Sequence, residues 1–367
     1  MRVLTFLGTR PEIIRLSRII PLLQQHCEHT LVHTGQNYDH SLSGQFLAEL
    51  GYEPGPVYWL NAQGSLGQQM AKIFEGLEMA ILKAKPDRFL VLGDTNSSLG
   101  AIVAKRMGIP VFHLEAGNRC FDDLSPEEVN RKIIDHTSDV HLCYTEHSRR
   151  NLLAEGVHLS RVHVVGNPIK EVQNYYWPNA ENDFPSWIEV LFNRLGVKKG
   201  NYLLSTFHRQ ENVDPPARLK SIVEGLVACH QRFGCPVLAS THPRTRKRLT
   251  ALYGAGLPKE VQFLEPLGFL DFLALEKHAR LILSDSGTIQ EEAAILGIGC
   301  VVLRDSTERP EVVERGCSFL AGADSAIILA GAEMMLGRKT GTCAPPEEYL
   351  RPNVAQTICN IVLGQLP

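Results

Sequence analysis

The sequence predicts two α/β domains, each built on a parallel β-sheet covered on both faces, with a cleft between them. Three observations carry this. Short apolar runs alternate with segments of helical period from end to end of the chain. Within each run the apolar residues are continuous, as in strands of a parallel sheet buried on both sides. The alternation pauses once, near 165–185, and 367 residues at roughly 150 per domain is the length of two domains.

Arg2–Leu7 (RVLTFL) is the first strand, and Pro11–Gln25 is the first helix, since Ile13, Ile14, Leu16, Ile19, Ile20 and Leu23 recur at helical spacing. His29–Thr34 is a strand and Leu66–Lys83 a helix. Arg88–Leu92 (RFLVL) is a strand closed by Gly93-Asp94, and a small-residue helix follows near Ser97–Lys105. Val111–Leu114 ends in Glu115, and the rhythm repeats through Val140–Cys143 and Val162–Val165. Val165–Pro185, broken by Pro, Asn and aromatics, is expected to connect the domains. Strands then recur at Tyr202–Ser205, Val237–Ser240, Val261–Leu264, Leu281–Ser284 and Val301–Leu303, each followed by helical sequence. A last helix near Gln356–Leu366 follows the break at Arg351-Pro352 and is expected to pack back on the first domain. The domains are therefore 1–168 with 355–367, and 169–354.

Composition excludes several classes. Hydrophobic residues make up 44% and charged residues 21%, which suits a globular protein and not a disordered or fibrous one. Lys and Arg number 37 against 40 Asp and Glu, a net charge of −3 that offers no bulk attraction to nucleic acid or membrane. No apolar run approaches the roughly 18 residues of a membrane span, and the N-terminus reads as a strand, not a targeting peptide. The nine cysteines are scattered without a CxxC pair, so reduced thiols in a cytoplasm are expected, with neither a zinc site nor a disulfide framework. GxGxxG, GxxxxGK[ST], HExxH and GxSxG are all absent, which argues against dinucleotide, P-loop, zinc-protease and nucleophile-elbow chemistry.

Candidate chemistry sits just past strand ends, where open parallel sheets bind ligands. Arg10, in Gly8-Thr9-Arg10-Pro11-Glu12, is placed to meet an anion or is a solvated charge. Asp94 and Glu115 each follow an apolar strand, and neighbouring strands would aim both at one crevice; a turn cap is the competing reading of Asp94. Glu127-Glu128 follow Ser125-Pro126, so they either join that crevice or serve a helix start. Three carboxylates in one cleft can supply an acid and a base. In the second half, His208 follows a strand, with His242 and Arg244 similarly placed. The strongest local signal is LILSDSGTIQEEAAILG, where Ser286, Gly287 and Thr288 open a helix whose amides and hydroxyls suit phosphate. Glu291 or Glu292, one turn later, suits ribose hydroxyls. The turn Ser306–Glu311 is a second polar loop.

These motifs together resemble the non-hydrolysing UDP-N-acetylglucosamine 2-epimerases. The likeness runs almost end to end: GTRPE at 8–12, TGQNYD at 34–39, LGDTNSS at 92–98, HLEAGNR at 113–119, PEEVNRK at 126–132, FHRQEN at 207–212, SDSGTIQEEA at 284–293 and STERPE at 306–311. The resemblance implies a GT-B-type fold of two Rossmann-like domains. It also implies elimination of UDP to a 2-acetamidoglucal and its return with C2 inverted. Carried over residue by residue, it implies catalytic roles for Asp94, Glu115, Glu127 and His208, and UDP binding by Arg10, Ser286, Gly287, Thr288, Glu292 and Arg309. No metal or cofactor is implied, and the expected partners are a UDP-sugar and a second copy of the chain in a cytoplasmic homodimer.

Two departures from the best-known members point to a branch. The segment Asn118–Ser125 is shorter than their loop, and Thr288 replaces the second Gly of their SGG turn. Both resemble the branch that converts UDP-2-acetamido-2,6-dideoxy-L-talose to UDP-N-acetyl-L-fucosamine for surface polysaccharides. Asn37-Tyr38-Asp39 differ from the residues of allosterically activated members, so no UDP-GlcNAc activator is expected. The alternatives from other classes are a GT-B glycosyltransferase and a non-catalytic UDP-sugar-binding protein.

Overall fold

The computed structural model describes residues 1–35, 50, 57–123, 125–177, 185–254, 256–338 and 343–365. The expectation placed on Asn37-Tyr38-Asp39, and position 124 of the segment Asn118–Ser125, lie outside these residues. The described strands form two wholly parallel sheets. The first contains β1 (Arg2–Leu7), β2 (Glu28–His33), β3 (Val57–Trp59), β4 (Arg88–Leu92), β5 (Val111–Leu114), β6 (Val140–Cys143) and β7 (Val162–Val164), in the order β3-β2-β1-β4-β5-β6-β7. The second contains β8 (Leu203–Thr206), β9 (Val237–Ser240), β10 (Val261–Leu264), β11 (Leu281–Ser284), β12 (Cys300–Val302) and β13 (Ser318–Leu320), in the order β10-β9-β8-β11-β12-β13. Each order reverses once, between β1 and β4 and between β8 and β11. Those are the switch points where a doubly wound sheet opens a crevice at its carboxyl edge.

The continuous apolar runs are explained by burial on both faces. In the second sheet Leu203, Leu283 and Val301 pack on the helix Pro216–Phe233 through Leu219, Ile222 and Leu226. Their neighbours Leu204, Ile282 and Val302 face the other way, with Ile188 and Leu275 of the helices Ser186–Leu195 and Phe269–His278. In the first sheet Leu4, Phe6, Phe89 and Val91 pack on Ile73 and Leu77 of the helix Leu66–Ala84.

The chain divides into two compact units, Met1–Tyr175 with Glu347–Pro367, and Tyr176–Pro346. The helix Val354–Leu363 lies in the first unit, where Arg88 donates to the Val362 carbonyl and the Glu171 carboxylate accepts from the Ala355 amide at 3.0 Å.

Several elements differ from their expected form. The first helix is two, Arg10–Leu16 and Ile19–His26, because Pro21 cannot follow a full helical turn without clashing with the carbonyl four residues back, at Ser17. The stretch read as an irregular connection contains the helix Ile169–Tyr176. The edge strands β3 and β13, three residues each, are too short to show a period. Cys317 and Cys343 are joined in a disulfide, with Cα atoms 5.0 Å apart, which corrects the expectation of reduced thiols throughout. A search for close-spaced cysteines misses it because the fold, not the sequence, brings the two together across 26 residues. Among the described residues the other cysteines are free.

Candidate active site

In the first unit the ends of β1, β4 and β5 meet at the switch point. After β1, Gly8 and Thr9 lead into the helix Arg10–Leu16, whose first residue, Arg10, is exposed. Glu12 turns back, accepting from the Gly8 amide at 2.5 Å and the Thr9 amide at 2.9 Å. Its other oxygen takes the Thr95 hydroxyl at 2.8 Å, which ties this turn to the end of β4. Burial pushes the Glu12 carboxyl up to about 7, against the pull of those three donors.

Past β4, Gly93 adopts φ +74 and Asp94 follows, its carboxylate 2.8 Å from Arg131. Past β5, Glu115 adopts φ +73, a left-handed conformation that costs a side-chain-bearing residue energy and is held only where its surroundings require it. The Glu115 carboxylate is buried against the Arg15 guanidinium and accepts from Asn118 Nδ2 at 3.2 Å. A Cβ added to Gly93 would lie 3.8 Å from Glu115 Oε2, so this carboxylate is beside the turn that carries Asp94. Below them, His113 bridges Asp135 (2.7 Å) and the Gly93 carbonyl (2.9 Å). Burial pushes Asp135 up, but His113 and Arg119 outweigh it and hold that carboxylate at about 2.

The pair at the start of the helix Pro126–Thr137 divides its work. Glu127, half-buried, accepts the Ser125 hydroxyl at 3.0 Å. Glu128 is wholly buried and accepts from the amides of Cys120 (3.0 Å) and Phe121 (3.2 Å) and from Arg131 (2.7 Å). Arg131 thus bonds Asp94 and Glu128 together. The segment from Asn118 is strapped to this helix and to Ser148, while Phe121 itself is 74% exposed.

In the second unit the ends of β8 and β11 meet at the other switch point. Asp285, fully buried, accepts from the amides of His208 (3.1 Å) and Arg209 (3.0 Å) and from Asn212 Nδ2 (2.9 Å). That carboxylate sets the loop from which the half-exposed His208 side chain projects, 5.8 Å between ring centres from His242. His242 in turn caps the helix Pro243–Tyr253 by accepting from the Arg244 amide at 3.2 Å. Ser286 precedes the helix Gly287–Leu296, whose first amides have no partner within the helix and carry its positive pole. Gly287 is required by space, since a Cβ there would sit 2.3 Å from Glu308 Oε1. Glu308 is fixed by Arg304 and Arg209. Arg309 is buried with its Nε donating to Glu291, and its backbone amide donates to Thr307 Oγ1 at 3.1 Å. Glu292 is 5% exposed, on the next turn of that helix.

The structure therefore sets Asp94 and Glu115 at the ends of adjacent strands of the first unit, with Arg10 and Glu127 at helix starts of that unit, and sets His208 after β8 and Ser286–Thr288 after β11 in the second. Arg15, Arg131 and Asp285 hold these groups and were missed from sequence. Arg15 alone carried a signal, a charge set among Ile13, Ile14 and Leu16 in an apolar helix face. Among the described residues no cluster of His, Cys, Asp and Glu is placed to hold a metal, and no helix is long and apolar enough to cross a membrane.

Two Rossmann-order sheets with polar residues at each switch point define a GT-B-type α/β protein. A family model described as UDP-N-acetylglucosamine 2-epimerase matches residues 22–363. The chain is 42% identical over 345 residues to the UDP-N-acetylglucosamine 2-epimerase of Methanocaldococcus jannaschii, covering 92% of this chain and 93% of that protein. It is 37% identical, with the same coverage of both chains, to the UDP-2,3-diacetamido-2,3-dideoxy-D-glucuronate 2-epimerase of Pseudomonas aeruginosa. The crystal structure of the M. jannaschii enzyme in complex with UDP-GlcNAc and UDP matches at a TM-score of 0.91 and 40% identity, covering 98% of this chain and 99% of that one. A glycosyltransferase of lipopolysaccharide biosynthesis, WaaG, matches at 0.62 and 11% identity over the full length of both, a likeness of fold alone. The chain belongs to the UDP-N-acetylglucosamine 2-epimerase family, and it is an isomerase of the epimerase class.

Proposed function

We propose that this enzyme inverts C2 of a UDP-N-acetylhexosamine by anti elimination of UDP and re-addition through a 2-acetamidoglucal. The observation that supports the reading is the placement of Asp94 and Glu115, held by Arg131 and Arg15 respectively, just past the carboxyl ends of the neighbouring strands β4 and β5. A carboxylate takes the C2 proton as the anomeric C–O bond breaks, and its electrons leave on UDP. A second carboxyl group returns a proton to the opposite face of C2, and a diphosphate oxygen re-forms the bond to C1. One group cannot serve both faces, which is why Asp94, Glu115 and Glu127 are all assigned to the proton transfers. The departing diphosphate is met by Arg10, His208 and the helix start at Ser286, Gly287 and Thr288, which supply charge and amides where negative charge develops. Glu292 takes the ribose hydroxyls, and Arg309 supports the same loop through Glu291.

For the sugar, the names of the relatives favour the UDP-GlcNAc/UDP-ManNAc pair. The short Asn118–Ser125 segment, with Phe121 exposed upon it, supports the 6-deoxy-L-talose/L-fucosamine pair as the second reading. The test is to incubate the enzyme with each UDP-sugar in D₂O, without any acceptor, and follow deuterium entry at C2 by NMR. Deuteration with release of the C2 epimer is the expected result. A protein that exchanges none of these substrates, or turns them over only with an acceptor, is a binding protein or a transferase instead. Relative kcat/KM then selects the sugar, and a difference of one hydroxyl in an apolar site is worth about 10²-fold.

A further inference from the structure

The helix Pro126–Thr137 carries Glu127, Glu128 and Arg131 in its first half and a further buried carboxylate, Asp135, near its end. The two oxygens of Asp135 face different turns. Oδ1 accepts from His113 Nδ1 at 2.7 Å, and His113 Nε2 donates to the Gly93 carbonyl at 2.9 Å. Oδ2 accepts from the Gly117 amide at 3.1 Å and from Arg119 Nη1 at 2.7 Å. Gly93 stands immediately before Asp94, and Gly117 two residues after Glu115. One side chain therefore bonds, directly or through a single ring, to the turn beside each of the two carboxylates.

We propose that Asp135 is a positioning residue for the proton transfers, its carboxylate fixing the Gly93 turn through His113 and the Glu115 turn through the Gly117 amide. The inference rests on the assignment of Asp94 and Glu115 to those transfers. Both turns need holding. The Gly93 amide donates to the Leu114 carbonyl at 3.0 Å, so both backbone groups of Gly93 end on residues of β5. Glu115, at φ +73, keeps its left-handed backbone only where its surroundings hold it. Its amide donates to the Leu142 carbonyl at 3.0 Å, and the Gly117 carbonyl accepts from Asn151 Nδ2 at 3.0 Å, while Asp135 takes the Gly117 amide.

The partners also fix the direction of each bond. A carbonyl and an ionised carboxylate only accept, so both ring nitrogens of the buried His113 donate and the ring is cationic. Arg119, which donates to Glu155 from Nε at 2.8 Å and Nη2 at 2.6 Å, completes a set of two cations and two carboxylates. A buried ionic set of this kind adds little net stability over apolar residues of the same volume. What it supplies is fixed geometry, and a displacement of about 1 Å at a reacting group costs about 10²-fold in rate.

The experiment uses the full-length enzyme and measures kcat and KM for C2 deuteration of UDP-GlcNAc, or of the 6-deoxy-L-talose substrate where that is preferred. UDP affinity is measured by titration calorimetry, and thermal melts confirm folding. Asp135→Ala is expected to lower kcat about 10²-fold while KM and UDP affinity stay within about threefold. His113→Gln presents one donor and one acceptor to two acceptors, and is expected to lower kcat at least about tenfold in the same way. Asp135→Asn is expected to stay within about fivefold of the wild type, because its oxygen keeps Gly117 and Arg119 and its amide donates to a neutral His113 that still donates to Gly93. Wild-type kcat in folded His113→Gln, or a loss spread equally into KM and UDP affinity, overturns the inference whether or not Asp135→Ala folds. Asp135→Asn as slow as His113→Gln overturns it too, since the charge and not the bonded geometry is then what matters. Asp94→Asn and Glu115→Gln in the same assay report on the underlying reading: near-wild-type exchange in both removes them from the proton transfers. Slow exchange in those two with wild-type kcat in His113→Gln removes only the role of Asp135.

Discussion

Glu12 holds a proton up to about neutral pH for reasons that lie in its surroundings. Burial lifts its carboxyl to about 7, while an exposed Glu in the unfolded chain titrates near 4.3. The folded state binds this proton more tightly, so the stability it contributes is fully present below about pH 4 and is lost as pH rises through 7. Asp135 works in the opposite sense and lower down: its folded value near 2 contributes stability that is lost only as pH falls below about 4. Between pH 5 and 8 the difference between wild type and Glu12→Gln therefore isolates Glu12. Gln preserves the capping geometry, so the variant should lose less stability over that window, by of order 2 kcal/mol. Urea titrations at pH 5, 6, 7 and 8 measure this, and parallel curves for the two proteins would refute it. The carboxylates assigned to catalysis answer to a different readout. Asp94→Asn, Glu115→Gln and Glu127→Gln should each slow C2 deuteration by about 10²–10⁴-fold. UDP affinity should hold, because its contacts are assigned mainly to the second unit. Glu115→Gln should also lose stability, of order 2 kcal/mol, because it leaves the buried Arg15 guanidinium without its counter-charge. Near-wild-type exchange in all three folded variants would remove these residues from the mechanism.

At the scale of the element, the start of the helix Gly287–Leu296 is a tight fit. Glu308 is clamped by Arg209 and Arg304, so it cannot yield to a side chain at position 287. Gly287→Ala should shift this helix start, weaken UDP at least tenfold, and cost roughly 1–3 kcal/mol from overpacking; calorimetry with UDP and a denaturant melt measure both. Retained affinity would mean that Glu308 moves freely. The same element shows what sequence can and cannot disclose. Its strand, its small-residue helix and its glycine are local patterns, and they were legible, as was the α/β fold itself. Glu308 and Arg304, which make the glycine necessary, come from a different loop; the turn Ser306–Glu311 is legible as polar, but its close approach to Gly287 is not. Arg131 and Asp285 were hidden in the same way, since a charge in PEEVNRK or at a strand end looks solvated until its partners are in place. Short edges defeat periodicity as well: β3 and β13 have three residues each, where two-fold and 3.6-fold patterns cannot be told apart. Pro21 is visible in the sequence, but the apolar periodicity running through it hides the break that it imposes near Ser17.

On the scale of the whole molecule, each compact unit is fastened by a contact distant in sequence, and the two fastenings can be undone separately. In the second unit the Cys317–Cys343 bond closes a loop of 26 residues, and a chain-entropy estimate for that length gives about 3.5 kcal/mol. Cys343→Ser should lower that unit's stability by about this amount, and dithiothreitol should have the same effect on the wild type and none on the variant. In the first unit the fastening is the helix Val354–Leu363. Val354, Ala355, Ile358, Cys359 and Val362 are buried along it, the Cys359 thiol reaches the Ile19 carbonyl at 3.7 Å, and Arg88 donates to the Val362 carbonyl. The Glu171 carboxylate caps its first turn by accepting from the Val354 amide at 2.5 Å and the Ala355 amide at 3.0 Å. Glu171→Ala should cost about 1 kcal/mol, the usual worth of a helix cap. Removing residues 354–367 should cost far more, since it strips apolar surface from Ile19–His26 and leaves Arg88 without its acceptor. Amide hydrogen exchange resolves where the loss falls. Deletion should raise exchange in β1, in β4 and in the helix Ile19–His26, and leave β8 to β12 protected, whereas Cys343→Ser should do the reverse. Loss of protection in the strands of the second unit on deletion would show that this helix supports the chain in some other way.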